Sequence, residues 1–243
     1  MFSLVHRALK EYFENCEAKD RAEMIELLSE HLIHMVHTRD GALVAMYCVW
    51  FGTAKDRKKI VKILKTFVLK IALEEHGHMM LIAILDSVDD TKLVAKGVLE
   101  ELFGSLKEAF ESEYGRKVLT YLVAPRDTRF FLKDYVRRLE IGDGSDTRKK
   151  DVEIRRKELF EYSKKFLKDH LSKQMDKLLY DGPCGILIGD ILDKLEADGN
   201  DLIKKIASLV VAKPYDSTMP AAAEKTKKTE EGGEKTAKKD GEG

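Results

Sequence analysis

The feature that most restricts the fold of this chain is an internal repeat with a period near 36 residues. Asp20 and Asp56 each precede an arginine and then apolar residues at the same offsets of four, five, seven and eight. Gly41 and Gly77 are also 36 residues apart, and Gly115 follows 38 residues later. Such a period, with two helices in each unit, is typical of an α-solenoid, in which each unit covers the apolar face of its neighbour.

The stretches between these anchors carry the apolar spacing of helices. The four prolines, at positions 125, 183, 214 and 220, leave residues 1–124 without a helix breaker. Apolar residues recur at helical spacing over 21–36 and over 57–75, which predicts one continuous helix in each stretch. Asp20 has Glu23 three residues further on, so we expect it to cap the first of these helices.

The C-terminal half departs from this rhythm. A loop is predicted over 141–151, where residues 148–150 are expected to cover no core. A long charged helix follows from Val152 to about Tyr180, and a weaker fourth unit runs to Val211. Beyond that point the chain has almost nothing to bury, which favours disorder. The predicted fold is all-α, with repeats over 1–140, a helical region with a repeat-like unit over 141–212, and a disordered charged tail over 213–243.

Charge is balanced overall but unevenly distributed. Lys and Arg together number 43, as do Asp and Glu, yet residues 116–173 carry 17 basic and 10 acidic residues. Rows of Lys and Arg on neighbouring solenoid units can follow a phosphate backbone, where each neutralised phosphate releases a counterion. The candidate nucleic-acid contacts are Lys58, Lys59, Arg116, Lys117, Arg126, Arg129, Arg148, Lys149, Lys150, Arg155 and Arg156. The competing interpretation is a solvated helix face held by ion pairs such as Glu153 with Lys157.

No pattern in the sequence predicts catalysis, a cofactor or a metal. The three cysteines lie far apart and form no C-x-x-C pair, which argues against a disulfide framework and favours a reducing compartment. His31, His34 and His37 spread over about 120° of a helix, so they do not converge on one metal. No P-loop, dinucleotide fingerprint or Ser/His/Asp order is present. The longest apolar run, 42–51, is too short to span a bilayer, and we expect neither a membrane partner nor a small-molecule substrate.

A repeat of 36 residues with a glycine just before its second helix resembles the Pumilio, or PUF, repeat. The segments 37–46, 52–58, 114–127 and 142–156 are similar to the C-terminal half of Puf-A and penguin-like proteins, including their CPL region. The resemblance implies an α-solenoid of divergent two- to three-helix Pumilio-type repeats. It also implies a nuclear, mainly nucleolar, protein of large-subunit ribosome biogenesis and pre-rRNA processing. Its partners would be RNA and DNA, bound with little sequence preference, and pre-ribosomal or nucleolar proteins.

The residues at three positions after each repeat glycine indicate whether the array can distinguish one base from another. In a sequence-reading PUF repeat, the first, second and fifth residues after the glycine supply two edge-reading side chains and one stacking side chain. The corresponding triples are Ala42, Leu43 and Met46; His78, Met79 and Ile82; and Arg116, Lys117 and Thr120. Ala, Leu, Met and Ile cannot read a base edge, whereas Arg116 and Lys117 suit a phosphate. We therefore expect a sequence-independent array in which single changes such as Met46→Gln are tolerated.

Two functional hypotheses stay open at this point. The first is a sequence-independent RNA- and DNA-binding solenoid without catalytic activity. The second is a protein-binding solenoid scaffold, because residues 1–115 carry 15 basic and 19 acidic residues and suit a basic partner such as a ribosomal protein. The chain also opens inside what resembles the second helix of a repeat. We therefore expect a truncated first repeat, with Leu4, Val5, Leu9 and Phe13 facing a preceding unit.

Overall fold

The structure, a computed structural model, describes residues 2–212, and the predicted disordered tail over 213–243 lies outside the described residues. Residues 2–212 form helices joined by short turns, with no strand in this range. The fifteen α-helices of this range are α1 (Phe2–Asn15), α2 (Ala18–Leu28), α3 (Leu32–Met35), α4 (Arg39–Phe51), α5 (Ala54–Leu64), α6 (Val68–Ala72), α7 (Gly77–Ser87), α8 (Thr91–Val94), α9 (Glu100–Gly104), α10 (Leu106–Glu111), α11 (Glu113–Val123), α12 (Lys133–Glu140), α13 (Val152–Leu178), α14 (Gly182–Leu195) and α15 (Asn200–Ala212). A π-helical segment, Ala95–Leu99, joins α8 to α9. Within 2–212, no helix has the length and apolar character that crossing a membrane requires.

The helices that carry the repeat glycines stack side by side through the centre of the molecule. Helix α1 packs on α4, α4 on α7, α7 on α11, and α11 on α14. Every residue of 41–50 and of 77–87 is buried, so α4 and α7 are covered on all sides. Equivalent helices of successive units thus form one continuous core, and the predicted all-α solenoid is confirmed.

The repeat glycines are required because each of these helices begins against the backbone of the turn before it. A Cβ atom on Gly41, Gly77 or Gly115 would lie 2.1, 2.8 or 2.6 Å, respectively, from the carbonyl oxygen six residues earlier. Any larger side chain would push the two segments apart. Thr38 and Ser112 cap two of the helices, since their hydroxyl oxygens accept hydrogen bonds from the N–H groups of Gly41 and Gly115.

Two helices that the sequence predicts as continuous are broken. The stretch 21–36 consists of α2 and α3, and the stretch 57–75 consists of α5 and α6. At the second break Thr66 has a φ of 75°, and its backbone N–H donates to the Glu101 carboxylate at 2.6 Å. The apolar spacing continues across both breaks because the side chains on either side reach the same core.

Two expectations about the N-terminal helices are also wrong. Helix α2 begins two residues before Asp20, which lies in the first turn rather than at the N-cap. Phe13 does not face outward: it is fully buried, and its ring stacks on Tyr47 with 5.7 Å between the centroids. Leu4 and Val5 are exposed.

The C-terminal half packs along the outside of the stacked helices. Helix α13 has 27 residues, close to its predicted bounds, and contacts α7, α8, α11, α14 and α15. The segment 125–151 returns from α11 to α4, where a Cβ on Gly142 would lie 2.5 Å from the indole ring of Trp50. Trp50 is fully buried and packs in the core.

Candidate nucleic-acid interface

The positions expected to face bases lie largely inside the fold. The buried members of the three triples are Ala42, Leu43, Met46, His78, Met79, Ile82 and Thr120. Burial also lowers the pKa of His78 to about 4, and its neutral ring stacks on Tyr114. The expectation that Met46→Gln is tolerated is wrong, because an amide at this fully buried position would have no hydrogen-bond partner in the apolar core.

Arg126 is the centre of an ion-pair network at the C-terminal end of α7. Its guanidinium donates to Asp86 at 2.5 and 3.1 Å and to Asp143 twice at 2.7 Å. Asp86 is 2% exposed and also accepts a hydrogen bond from the Tyr121 hydroxyl. Burial alone would lower the pKa of Arg126, but the bonds to Asp143 and Asp86 raise it. This guanidinium is therefore committed to the fold rather than free for a phosphate.

Arg155 and Arg148 are held in the same way. The Arg155 side chain is 1% exposed and donates to Asp89 at 3.1 Å, while Arg148 is 10% exposed and pairs with Asp143 at 3.1 Å. Asp89 also accepts the backbone N–H groups of residues 149 and 150. Burial opposes ionisation of Asp89, yet these N–H bonds and Arg155 lower its pKa. The expectation that residues 148–150 cover no core is therefore wrong for Arg148.

Six other candidate side chains are more accessible but carry a partner. The ion pairs are Lys59 with Glu30, Lys117 with Glu113, Arg129 with Asp127 and Asp190, Lys150 with Glu158, and Arg156 with Glu153. Arg116 donates to the carbonyl oxygens of Phe110 and Glu111. Exposed pairs of this kind are worth at most about 1 kcal/mol, so a phosphate can replace the carboxylate. Lys58 and Lys149 are exposed, with no carboxylate at ion-pair distance within residues 2–212.

The longest row of lysines without an ion pair in residues 2–212 contains only one of the candidates, Lys58. Lys62 and Lys65 at the end of α5, and Lys92 and Lys96 opposite them, line a groove of about 400 Å³ that we call the lysine groove. Lys55 and Lys58 continue the row along α5. All six are exposed, and none has a carboxylate at ion-pair distance in the part of the chain that the structure describes. The spacing of three and four residues between these lysines can be read from the sequence. A comparison of net charge between long segments does not reveal the row, because residues 1–115 are net acidic.

A second surface feature, which we call the aromatic cavity, lies between α12 and the N-terminal ends of α7 and α11. Its volume is about 600 Å³. The Tyr114 ring faces it, and the Lys117 ammonium lies 5.0 Å from the centroid of that ring. The same cavity is lined by two arginines and three acidic residues: Arg39, Arg138, Glu75, Glu113 and Asp134. Aromatic faces beside cations can hold an unstacked base without selecting its identity.

Comparison with known proteins places this arrangement in a family. Residues 111–230 match the CPL (NUC119) domain. The chain is 42% identical over 207 residues to Pumilio homolog 3 of Danio rerio, which covers 85% of this chain and 33% of that relative. It also superposes on the crystal structure of human Puf-A in complex with DNA, with a TM-score of 0.77 and 42% identity. This chain belongs to the Puf-A and penguin family of Pumilio-repeat proteins.

Further relatives agree with this membership and show its extent. Protein penguin of Drosophila melanogaster is 33% identical over 214 residues, which covers 87% of this chain and 29% of penguin. The match to the complex of human Puf-A with DNA covers 78% of this chain and 38% of the Puf-A chain. The match to another crystal structure of human Puf-A covers 91% of this chain and 43% of the Puf-A chain, with a TM-score of 0.85. The family prediction is confirmed. This Puf-A-family chain spans about a third of the length of the curated relatives it matches.

Proposed function

We propose that this chain binds RNA and DNA through the phosphate backbone, without reading the base sequence. The observation that carries this proposal is the contrast between buried side chains at the base-reading positions and unpaired or weakly paired cations at the surface. Surface cations release counterions when they neutralise phosphates, and such contacts carry no sequence information. The crystal structure of human Puf-A in complex with DNA supports the same class of ligand.

The aromatic cavity adds a second, equally unselective mode of contact. Stacking of a base on an aromatic ring is worth about 1–3 kcal/mol and is tolerant of base identity because every base has a π-face. Tyr114 and the half-buried Phe130 supply aromatic rings to the lining of this cavity. Arg39 and Arg138 can meet the adjoining phosphates. The proposed binding needs neither a catalytic residue nor a cofactor.

Equilibrium binding to unrelated nucleic acids tests the proposal. The protein is titrated with a mixed-sequence RNA, the matching single-stranded DNA and a DNA duplex, each over a series of salt concentrations. We expect comparable affinities that fall steeply with salt. A tenfold or greater preference among homopolymer RNAs would contradict sequence-independent binding. Absence of binding at low salt would instead favour a scaffold for a basic protein.

For the cellular role, we propose action in the nucleus, mainly the nucleolus, in pre-rRNA processing for the large ribosomal subunit. The proposal rests on family membership and on the similarity of segments 37–46 and 114–127 to Puf-A and penguin-like proteins. Partners would be pre-rRNA and pre-ribosomal or nucleolar proteins. Cross-linking of the full-length protein in cells, followed by sequencing of the bound RNA, is expected to enrich rRNA precursors. Enrichment of messenger RNA alone would contradict this role.

A further inference from the structure

The lysine groove keeps a set of like charges together without neutralising them. Lys55, Lys58, Lys62 and Lys65 are spaced by three, four and three residues, so they share one face of α5 and its C-terminal end. Each like-charged neighbour at this spacing destabilises a helix by about 0.2–0.5 kcal/mol. A polyanion lying along the row would offset that repulsion.

The two walls of the groove are held close by a glycine. Gly97 lies in the π-helical segment, directly over Val61 of α5: a Cβ at this position would lie 2.4 Å from the Val61 Cγ1 atom. Val61 is fully buried. The close approach brings Lys92 and Lys96, one turn apart, beside Lys62 and Lys65. Four ammonium groups therefore line one channel.

The dimensions and lining of the groove favour a phosphate backbone over an acidic protein segment. The α5 row is about 15 Å long, from a rise of about 1.5 Å per residue, and in a duplex each strand carries one phosphate per about 3.4 Å of helix axis. The row therefore lies beside about four phosphates. Lysines make up four of its eight lining residues, and Asp90 is the one acidic residue among the eight. A protein partner would also need large apolar anchors, and the apolar side chains in this lining are those of Val61 and Leu93.

We propose that the lysine groove binds the sugar-phosphate backbone of one nucleic-acid strand, at a site apart from the basic block of residues 116–173. This inference rests on the proposed function, but it assigns the binding to residues that the charge blocks of the sequence do not indicate. The π-helical segment and Gly97 serve to position Lys92 and Lys96 against α5.

The test compares wild type with a groove variant in which Lys62, Lys65, Lys92 and Lys96 are changed to Gln. The matched control carries the same four-charge loss at exposed lysines of α13 and α14 that have no carboxylate at ion-pair distance among the described residues: Lys165, Lys173, Lys177 and Lys194. Binding of a mixed-sequence single-stranded RNA is measured over about 50 to 200 mM salt. Each phosphate contact on a single strand contributes about 0.7 to the steepness of log K against log salt, so four lost contacts make the slope shallower by about 2.8. Over that salt range, the affinity of the groove variant should therefore fall about 50-fold less than that of wild type. The slope of the control should differ from that of wild type by no more than about 0.7, the contribution of one phosphate contact.

A second measurement uses the unmodified protein. Acetylation by an amine-reactive reagent, read by mass spectrometry, should be slowed by RNA at the four groove lysines and not at Lys165 or Lys173. Circular dichroism should show unchanged helicity in both variants, since all the replaced side chains are exposed.

The outcomes separate the site from the function. Equal loss of affinity in both variants, or no loss in the groove variant while wild type binds RNA, overturns the groove and leaves the proposed function standing. Unprotected groove lysines in the presence of bound RNA overturn it as well. Absence of RNA binding by wild type overturns both proposals.

Discussion

Replacement of Arg126 by Leu is expected to destabilise the fold by about 3–5 kcal/mol, the usual cost of removing one member of a buried ion pair. The change leaves Asp86, 2% exposed, with the Tyr121 hydroxyl as its remaining side-chain partner among the described residues. Loss of the pair with the more exposed Asp143 adds at most about 1 kcal/mol. Leu is chosen over Gly because Arg126 has a φ of 58°, and Gly would relieve that backbone strain.

The effect of pH on the free energy of unfolding depends on whether the folded or the unfolded chain binds a proton more readily. In wild type, the hydrogen bonds from Arg126 lower the pKa of Asp143. The stability from that pair is therefore present above the unfolded pKa and lost as the pH falls through the folded pKa. The variant lacks this pair, so it has no such stability to lose at acid pH. Its difference in stability from wild type should therefore grow as the pH rises through the folded pKa of Asp143.

Urea unfolding of wild type, Arg126→Leu, Asp86→Asn and the double variant measures both effects. At neutral pH the double variant should be more stable than Arg126→Leu alone by about 1–2 kcal/mol, because an amide at position 86 leaves no charge to bury. A loss below about 1 kcal/mol in Arg126→Leu, equal at neutral and acid pH and not rescued by Asp86→Asn, would refute the argument that this network fixes segment 125–151 to the stacked helices.

Three further predictions concern single side chains. Gly41→Ala is expected to reduce the free energy of unfolding by more than about 2 kcal/mol. Gly185→Ala should be neutral or slightly stabilising, because its Cβ would lie 3.5 Å from the nearest atom. Urea unfolding of the two variants checks this. Met46→Gln should lower the free energy of unfolding by about 1–3 kcal/mol, because its amide is buried without a hydrogen-bond partner. Met46→Leu should lower it by less than about 1.5 kcal/mol. Equal losses in the two variants would contradict the argument. Because burial lowers the pKa of His78 from 6.5 to about 4, the unfolded chain takes the proton first and wild type loses stability as the pH falls through that window. His78→Phe should flatten this part of the pH profile in thermal melts, and an unchanged profile would show that His78 does not cause it.

The repeat register can be predicted from the sequence because its signals are local. Gly41, Gly77 and Gly115 mark helix starts through steric contact with a carbonyl oxygen only six residues away. The apolar spacing around Trp50 reports core burial just as directly. Fold class, the long helix α13 and the order of the units all follow from such short-range patterns.

The helix breaks and the roles of the arginines depend on partners far away in the sequence. Thr66 keeps its positive φ beside Glu101, 35 residues later, so nothing near residue 66 predicts the break. Arg126 and Arg155 meet Asp86 and Asp89 across 40 and 66 residues. In sequence alone, such arginines look the same as solvent-facing or phosphate-binding ones. The predicted set of nucleic-acid contacts therefore included arginines that are held by ion pairs within the fold, and it did not include the four lysines of the lysine groove.

Helix α13 has a consequence for how this molecule unfolds. In a solenoid whose units touch only their nearest neighbours, units can melt one after another from an end. Here a rod about 40 Å long, from 27 residues at about 1.5 Å each, contacts helices of several units at once. Loss of any one unit therefore also removes part of the surface that supports the others. Residues 2–212 should melt in a single cooperative transition, with amide exchange in α7 and α11 as slow as global unfolding.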